Sequence, residues 1–336
     1  MDDIFQILSK LSLIKGKSVL ATIIHVEGSA YKKEGSCMLI ADDGSQIGLL
    51  SAGCLEEDLR WKAEQVFLDG TARIFTYDMK DETDLAWGQG AGCNGILHIL
   101  LEPINQLLME NLFMLKTCLD EGDSVLQIKQ FDNDFNLVST SFFSEKGKAF
   151  GDKCPHSIEV NDFIQSGLMT IENLSPAFIH LFKPKPRLIL FGAGEDAKPL
   201  VHIADYIGFH VILCDWRPSH CNKANFPNAH TIIQGFPQEI YEKIKLTQHD
   251  FVVIMSHHFQ RDKEFLSLIK NDKLSFLGIL GPKKRTVRLL GGGDIPQWIS
   301  SPVGMDIGSK GAEEIAISIV AEMIKVLRKR TTVGSP

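Results

Sequence analysis

An apolar run, Leu188-Ile189-Leu190-Phe191, ends in Gly192-Ala193-Gly194-Glu195-Asp196-Ala197, and a helical pattern of apolar residues follows to about residue 207. Few local structures accept that order. It asks for a buried strand, a tight glycine turn and the first turn of a helix, the context of the G-x-G-x-x-G/A fingerprint. Gly192 and Gly194 allow the turn, and the small Ala197 lets the helix lie close to the strand. Beyond it the pattern alternates, with strands expected over 187–191, 209–214, 231–233, 251–255 and 275–280 and helices over 197–207, 238–244, 263–269 and 312–327. Such alternation predicts a parallel, doubly wound α/β sheet of the Rossmann-like kind. Asp215 closes the second strand, about twenty residues past the first glycine, where a carboxylate can accept hydrogen bonds from a ribose diol. Glu195 and Asp196 point the other way, because they fill the positive field of the helix start that a pyrophosphate would use. The fold is therefore predicted here, while three readings of the turn stay open: NAD binding and turnover, another nucleotide or phosphate-bearing ligand, and a purely structural turn.

Upstream the pattern differs. Strands are expected over 19–26, 37–40, 46–50, 73–77, 96–101 and 178–182, helices over 4–14, 54–67 and 105–119, and a hairpin over 124–131 and 137–143 around Asp132-Asn133-Asp134. That mixture predicts a separate α+β domain. Lys183-Pro184-Lys185-Pro186 is the expected boundary, two prolines between strand-like runs. The division reads 1–184 for the α+β domain, 185–330 for the Rossmann-like domain and 331–336 for a disordered tail. A length of 336 residues, 44% of them hydrophobic and 23% charged, suffices for two cores. The net charge of −7 gives no basic footprint for nucleic acid, and no apolar run approaches a membrane span. Met1-Asp2-Asp3 does not open a signal peptide, so a cytoplasmic protein is expected. Its seven cysteines lack C-x-x-C spacing and read as reduced thiols.

The first domain has its own signature. Glycines crowd the segment from Gly28 to Asp58, which contains Gly28-Ser29-Ala30-Tyr31-Lys32 and ends in Ala52-Gly53-Cys54-Leu55-Glu56. Leu55, Leu59, Ala63 and Phe67 then recur along one helical face, so Gly53 and Cys54 stand at a helix start. A second glycine loop carries Gly92-Cys93-Asn94-Gly95. In the other half, His257 follows the strand over 251–255 at the carboxyl edge of the sheet, where such folds bind ligands, with His258 and Asp262 close behind. A histidine merely satisfied at the top of a strand is the competing reading. Gly281-Pro282-Lys283-Lys284-Arg285 follows another strand end, either to meet phosphates or as a solvated basic helix start. Near the C-terminus come Pro302-Val303-Gly304-Met305-Asp306-Ile307-Gly308 and Glu313-Glu314-Ile315-Ala316-Ile317-Ser318-Ile319-Val320-Ala321-Glu322.

With these motifs assembled, the chain resembles the xanthine dehydrogenase accessory protein family (XdhC/CoxI). The resemblance covers most of the chain and is most specific in the closing motif. Two positions depart from the pattern: Ala52 stands where a glycine is usual, and Asn94 interrupts the second glycine motif. Members of the family are associated with binding the molybdenum cofactor, protecting it and passing it, often sulfurated, to a xanthine dehydrogenase-type molybdenum hydroxylase. The resemblance thus implies a cofactor-handling accessory protein rather than an ordinary enzyme, partnered by a hydroxylase and by a cysteine desulfurase; a homodimer is expected because apolar faces exposed on two-domain chains often pair. The cofactor-binding positions expected are Gly53, Cys54, Glu56 and Cys93 in the first half, and in the second His257, Gly304 and Asp306 together with the fingerprint residues Gly192, Gly194, Ala197 and Asp215. No metal-ligand set is expected.

A molybdopterin offers a guanidine-like ring edge rich in N–H donors. A carboxylate takes two such donors as it takes those of arginine, and Glu56 is the first candidate for it. The plainer reading is that Glu56 suits the positive end of its helix. Cys54 stands where a helix start favours a thiolate and three acids oppose it, or it is a buried, inert thiol. The turn bearing Gly304 and Asp306 is expected to close over the cleft between the domains. Two other functions stay open: an NAD-dependent oxidoreductase using Gly192, Gly194 and Asp215 with His257 as acid/base, and a nucleotidyl transferase acting on the cofactor.

Overall fold

β1 (Ser18–Ser29) organises the first half of the computed structural model, which describes residues 3–14, 16–51, 53–79, 94–152, 160, 166–169 and 176–332. Its apolar residues are buried from Val19 to Ile24, and it pairs antiparallel with β2 (Cys37–Ala41) on one side and β5 (Asn94–Pro103) on the other. β3 (Gln46–Gly48) and β4 (Arg73–Asp78) complete a five-stranded sheet in the order β3-β2-β1-β5-β4. A second antiparallel sheet runs β8-β7-β6-β10-β9, from β6 (Val125–Phe131), β7 (Leu137–Ser144), β8 (Ala149–Gly151), β9 (Gly167–Met169) and β10 (Ala177–Phe182). α2 (Glu56–Asp69) covers one face of the first sheet, burying Leu59, Ala63 and Val66 against Ala21, Ile23, Ile99 and Leu101. α1 (Ile4–Lys10) and α3 (Gln106–Asp120) cover Leu20 and Leu39 on the other face, and share their core with Val125, Phe142 and Phe182 of the second sheet. α1 is shorter than the sequence suggests because Leu11–Leu13 tighten into a 3₁₀ turn.

These elements belong to the first of two compact units, Met1–Pro184 and Lys185–Pro336. The second contains β11 (Arg187–Phe191), α4 (Ala197–Tyr206), β12 (His210–Asp215), β13 (Thr231–Gln234), α5 (Pro237–Ile244), β14 (Phe251–Ile254), α6 (Phe259–Ile269), β15 (Phe276–Ile279), α7 (Lys283–Leu289), β16 (Ile299–Ser300) and α8 (Gly311–Thr332). All six strands are parallel, in the order β13-β12-β11-β14-β15-β16. The expected α/β class with a parallel Rossmann-like sheet is what the chain adopts. Both faces are buried, so the strands read as apolar runs: Leu188 and Leu190 meet α4 and α8, while Ile189 and Phe191 meet α5 and α6.

In the second unit the bounds of α6 and α8 differ from the expected ones. α6 starts at Phe259 because His258 caps it, Nδ1 accepting the Arg261 N–H at 3.3 Å. The basic run after β15 forms α7, which follows Pro282. α8 continues through Thr332, past the expected helix end at 327 and into the stretch from 331 expected to be disordered; residues 333–336 lie outside the described ones. Among the described residues no helix is long and apolar enough to cross a membrane.

Candidate functional site

The strand order reverses between β11 and β14, so the carboxyl ends of these two strands flank the switch point where open α/β sheets bind ligands. Gly192 leaves β11 at φ +125°, and a Cβ there would lie 2.6 Å from the Met255 and Ser256 backbone just beyond β14. Only glycine lets the two strand ends approach this closely. Ala193 donates its N–H to Asp215 Oδ2 at 2.8 Å, and Ala197 is buried under the start of α4. Asp196 folds back over the turn, with Oδ1 2.5 Å from where a Gly194 Cβ would be, and its Oδ2 meets His257 Nε2 at 2.6 Å. His257 holds φ +60° and is mostly exposed. An imidazole in the left-handed region, clasped to a carboxylate at the head of a helix, is backbone strain placed at the switch point.

Asp215 is wholly buried and fully engaged. Besides Ala193 it accepts the Arg217 backbone N–H at 2.8 Å and the guanidinium at 2.9 and 2.7 Å. Burial pushes its carboxyl up, but these bonds together hold it below its ordinary value. Arg217 lies over the Trp216 ring, which touches Phe191 and His258. Deeper in the same edge, Asp262 accepts from Ser256 Oγ and from Arg285 at 2.6 Å, so the arginine of the basic run is committed. Lys283 and Lys284 of that run are exposed.

The closing motif is pinned to α8. Gly304, at φ +107°, donates its N–H to Glu322 at 2.7 Å, and Glu322 also accepts from Ser300 Oγ at 2.8 Å. Ser318 accepts the Met305 N–H at its carbonyl and returns its hydroxyl to the Met305 carbonyl at 2.7 Å. Asp306, Ile307 and Gly308 are left exposed. Ser318 and Glu322 are the residues that single-residue reasoning passed over; their signal was their fixed spacing behind the glycine turn.

In the first unit, Gly53 is exposed and Cys54 is half-buried with a free thiol. The turn before α2 is held by Ser51 and Glu56. Ser51 Oγ accepts the Cys54 and Leu55 N–H groups at 3.0 Å each. The buried Glu56 carboxylate takes the N–H groups of Leu50 at 3.2 Å and Ser51 at 2.8 Å, and the Ser51 hydroxyl at 2.5 Å. Burial raises its carboxyl, and these bonds more than reverse that, leaving it below its ordinary value. Glu56 thus spends its acceptors inside the turn. Cys93 and Ala52 lie outside the described residues.

Comparison with known proteins places this geometry in a family. The XdhC Rossmann domain model matches residues 188–323, the XdhC and CoxI family model residues 15–78, and the BH1974-like central domain model residues 106–183. A probable xanthine dehydrogenase subunit from Bacillus subtilis is 40% identical over 94% of this chain and 95% of its own length. The molybdenum cofactor insertion chaperone PaoD of Escherichia coli is 22% identical over 94% of this chain and 85% of its own. A crystal structure of a xanthine dehydrogenase from Bacillus halodurans superposes with a TM-score of 0.89 at 44% identity, over 100% of this chain and 98% of that one. Matched in both halves and nearly end to end, this chain belongs to the XdhC and CoxI family.

Proposed function

We propose that the chain is an accessory protein that takes the molybdenum cofactor as cargo and delivers it to a xanthine dehydrogenase-type molybdenum hydroxylase. The observation that carries this reading is end-to-end likeness. The Bacillus subtilis protein and the molybdenum cofactor insertion chaperone are both matched over 94% of this chain, so both units are common to all three. A nicotinamide oxidoreductase would account for the Rossmann half alone. It would also need the Asp215 carboxylate for a ribose diol and a free helix start for a pyrophosphate. Asp215 is bound to Arg217 and Ala193, and Asp196 covers the turn, which counts against that reading and against a nucleotide at the fingerprint.

In this reading the cargo travels sulfurated, with sulfur supplied by a cysteine desulfurase, and the accessory protein works in the cytoplasm as a homodimer. Cys54 is the thiol placed to meet the cargo, with Gly53 leaving the approach open. Glu56 acts indirectly, by holding the turn that carries Cys54. The test is anaerobic equilibrium binding of purified molybdenum cofactor, with NADH titrated in parallel. Saturable cargo binding that falls in Cys54→Ser and ignores NADH is the expected result. NADH binding without affinity for the cofactor would sink the accessory reading and promote the oxidoreductase.

A further inference from the structure

A cavity of about 750 Å³ opens in the first unit over β1, β4 and β5, within the ~300–1,000 Å³ range of small-molecule sites. Its polar wall is built by register. His25 of β1 stands opposite His98 of β5, and His98 opposite Thr76 of β4. The register shift between Ile23 and His25 is a β-bulge, and it puts both Ile24 and His25 on the cavity side. The two imidazoles lie 5.5 Å apart, tilted by 36°, and His98 Nδ1 is fixed by Thr76 Oγ1 at 3.1 Å. Ile74 and Leu168 are apolar lining, and Phe135 projects from the tip of the β6–β7 hairpin. Phe135 keeps φ +59°, and Asp132 holds the tip by accepting the N–H groups of Asp134 and Asn136 at 2.9 and 2.8 Å.

The charges in this wall are unevenly spent. Arg73 is paired with Asp69, so it offers little to an anion. Glu27, at the rim, has no hydrogen-bond donor among the described residues; the ring nitrogen that comes near it is His98 Nε2 at 3.6 Å, too far for a hydrogen bond. Among the described residues His98 Nε2 itself has no hydrogen-bond partner, and the His25 ring makes only its contact with His98. A cavity with a carboxylate that meets no hydrogen-bond donor among the described residues, an occupied arginine and flat rings on its walls selects a planar ligand rich in N–H donors and disfavours a phosphate.

We propose that this cavity binds the 2-amino-4-oxo edge of a planar heterocycle, with Glu27 accepting its two adjacent N–H groups and the Phe135 and His25 rings flanking its faces. A carboxylate meets such an edge as it meets a guanidinium, by two parallel charge-assisted bonds. Pterins and guanine share the edge. The pterin of the cargo is the native source, a choice that rests on the accessory reading above; the recognition chemistry does not.

Fluorescence titration of the full-length protein with 6-hydroxymethylpterin tests this, alongside the matching lumazine, which carries a carbonyl in place of the 2-amino group, and guanosine as competitor. Expected is saturable pterin binding, weakened about tenfold by Glu27→Gln. Phe135→Asn, which tolerates the same backbone but lacks the ring, weakens it too. The lumazine binds the wild type no better than the pterin binds Glu27→Gln. Absent pterin binding, or lumazine and Glu27→Gln that bind as well as the reference, overturns the proposal. Guanosine binding more tightly than the pterin overturns the choice of native source. If Glu27→Gln retains whole molybdenum cofactor at wild-type affinity, this inference falls and the accessory reading stands; if wild type binds the pterin but not the cofactor, the reverse holds.

Discussion

At the scale of single residues, two of the three carboxylates that the sequence puts forward, Glu56 and Asp215, turn out to be spent inside their own turns, while the third, Asp306, is exposed. Glu56 and Asp215 are buried, and each is held below its ordinary value because hydrogen bonds outweigh burial. A carboxyl depressed on folding stabilises the protein above its unfolded value, near 4.5 for Glu56 and 3.8 for Asp215, and that contribution is lost as pH falls through the lower folded value. Glu56→Gln should therefore unfold with a shallower dependence on pH below about 4.5 than the wild type, in acid titrations followed by circular dichroism. At neutral pH it should lose about 2 kcal/mol, the order of a charge-assisted bonding group removed from buried donors. Asp215→Asn should cost more, about 3 kcal/mol, because it leaves Arg217 facing a neutral partner. What the sequence hides here is commitment. Glu56 accepting from Ser51 and Glu56 accepting from a pterin are the same residue in the same place until the turn is built. Glu27, whose carboxylate accepts no hydrogen bond among the described residues, carries no motif at all; its place beside His98 comes from a strand register and a bulge.

At the scale of elements, the alternation beyond residue 187 was legible because a strand buried on both faces has to be an uninterrupted apolar run, and the helices between must show their 3.6-residue period. Helix starts were less legible: α6 begins four residues earlier than its apolar pattern, because a histidine serves as its cap. The closing motif is a case where sequence spacing has a tertiary meaning, since Ser318 and Glu322, one helical turn apart on α8, grip Met305 and Gly304. A Cβ on Gly304 would sit 2.3 Å from Ser318 Oγ, at a φ that side chains avoid. Gly304→Ala should cost about 2–3 kcal/mol from strain and displacement of the grip. Adding Ser318→Ala removes the clash but not the φ penalty, so the double variant should recover part of the loss in chemical denaturation. Full additivity of the two single effects would show that the hydroxyl and the glycine are not coupled.

At the scale of the whole molecule, the hydrophobic clusters of the described residues fall within one unit or the other, and a wholly buried lysine is paired inside the first. Lys129 of β6 is wholly buried and meets Glu102 of β5 at 2.6 Å, which joins strands of the two antiparallel sheets. Such a pair fixes how two sheets meet more than it stabilises them, because desolvation offsets most of the attraction. Lys129→Met alone strands a buried carboxylate and should destabilise by about 3–5 kcal/mol, whereas Lys129→Met with Glu102→Leu should return close to the wild type. Separate cores further predict two calorimetric transitions. Lys129→Met should then lower the transition of the first unit and leave the other in place, and Gly304→Ala should do the opposite. Cargo that touches only the first unit would raise one transition, by the mass action of binding to its folded form. Scanning with and without 6-hydroxymethylpterin therefore locates the ligand independently of any affinity measurement: a shift confined to the transition that Lys129→Met lowers puts the pterin in the unit that contains Glu27, and a shift confined to the other rules that cavity out.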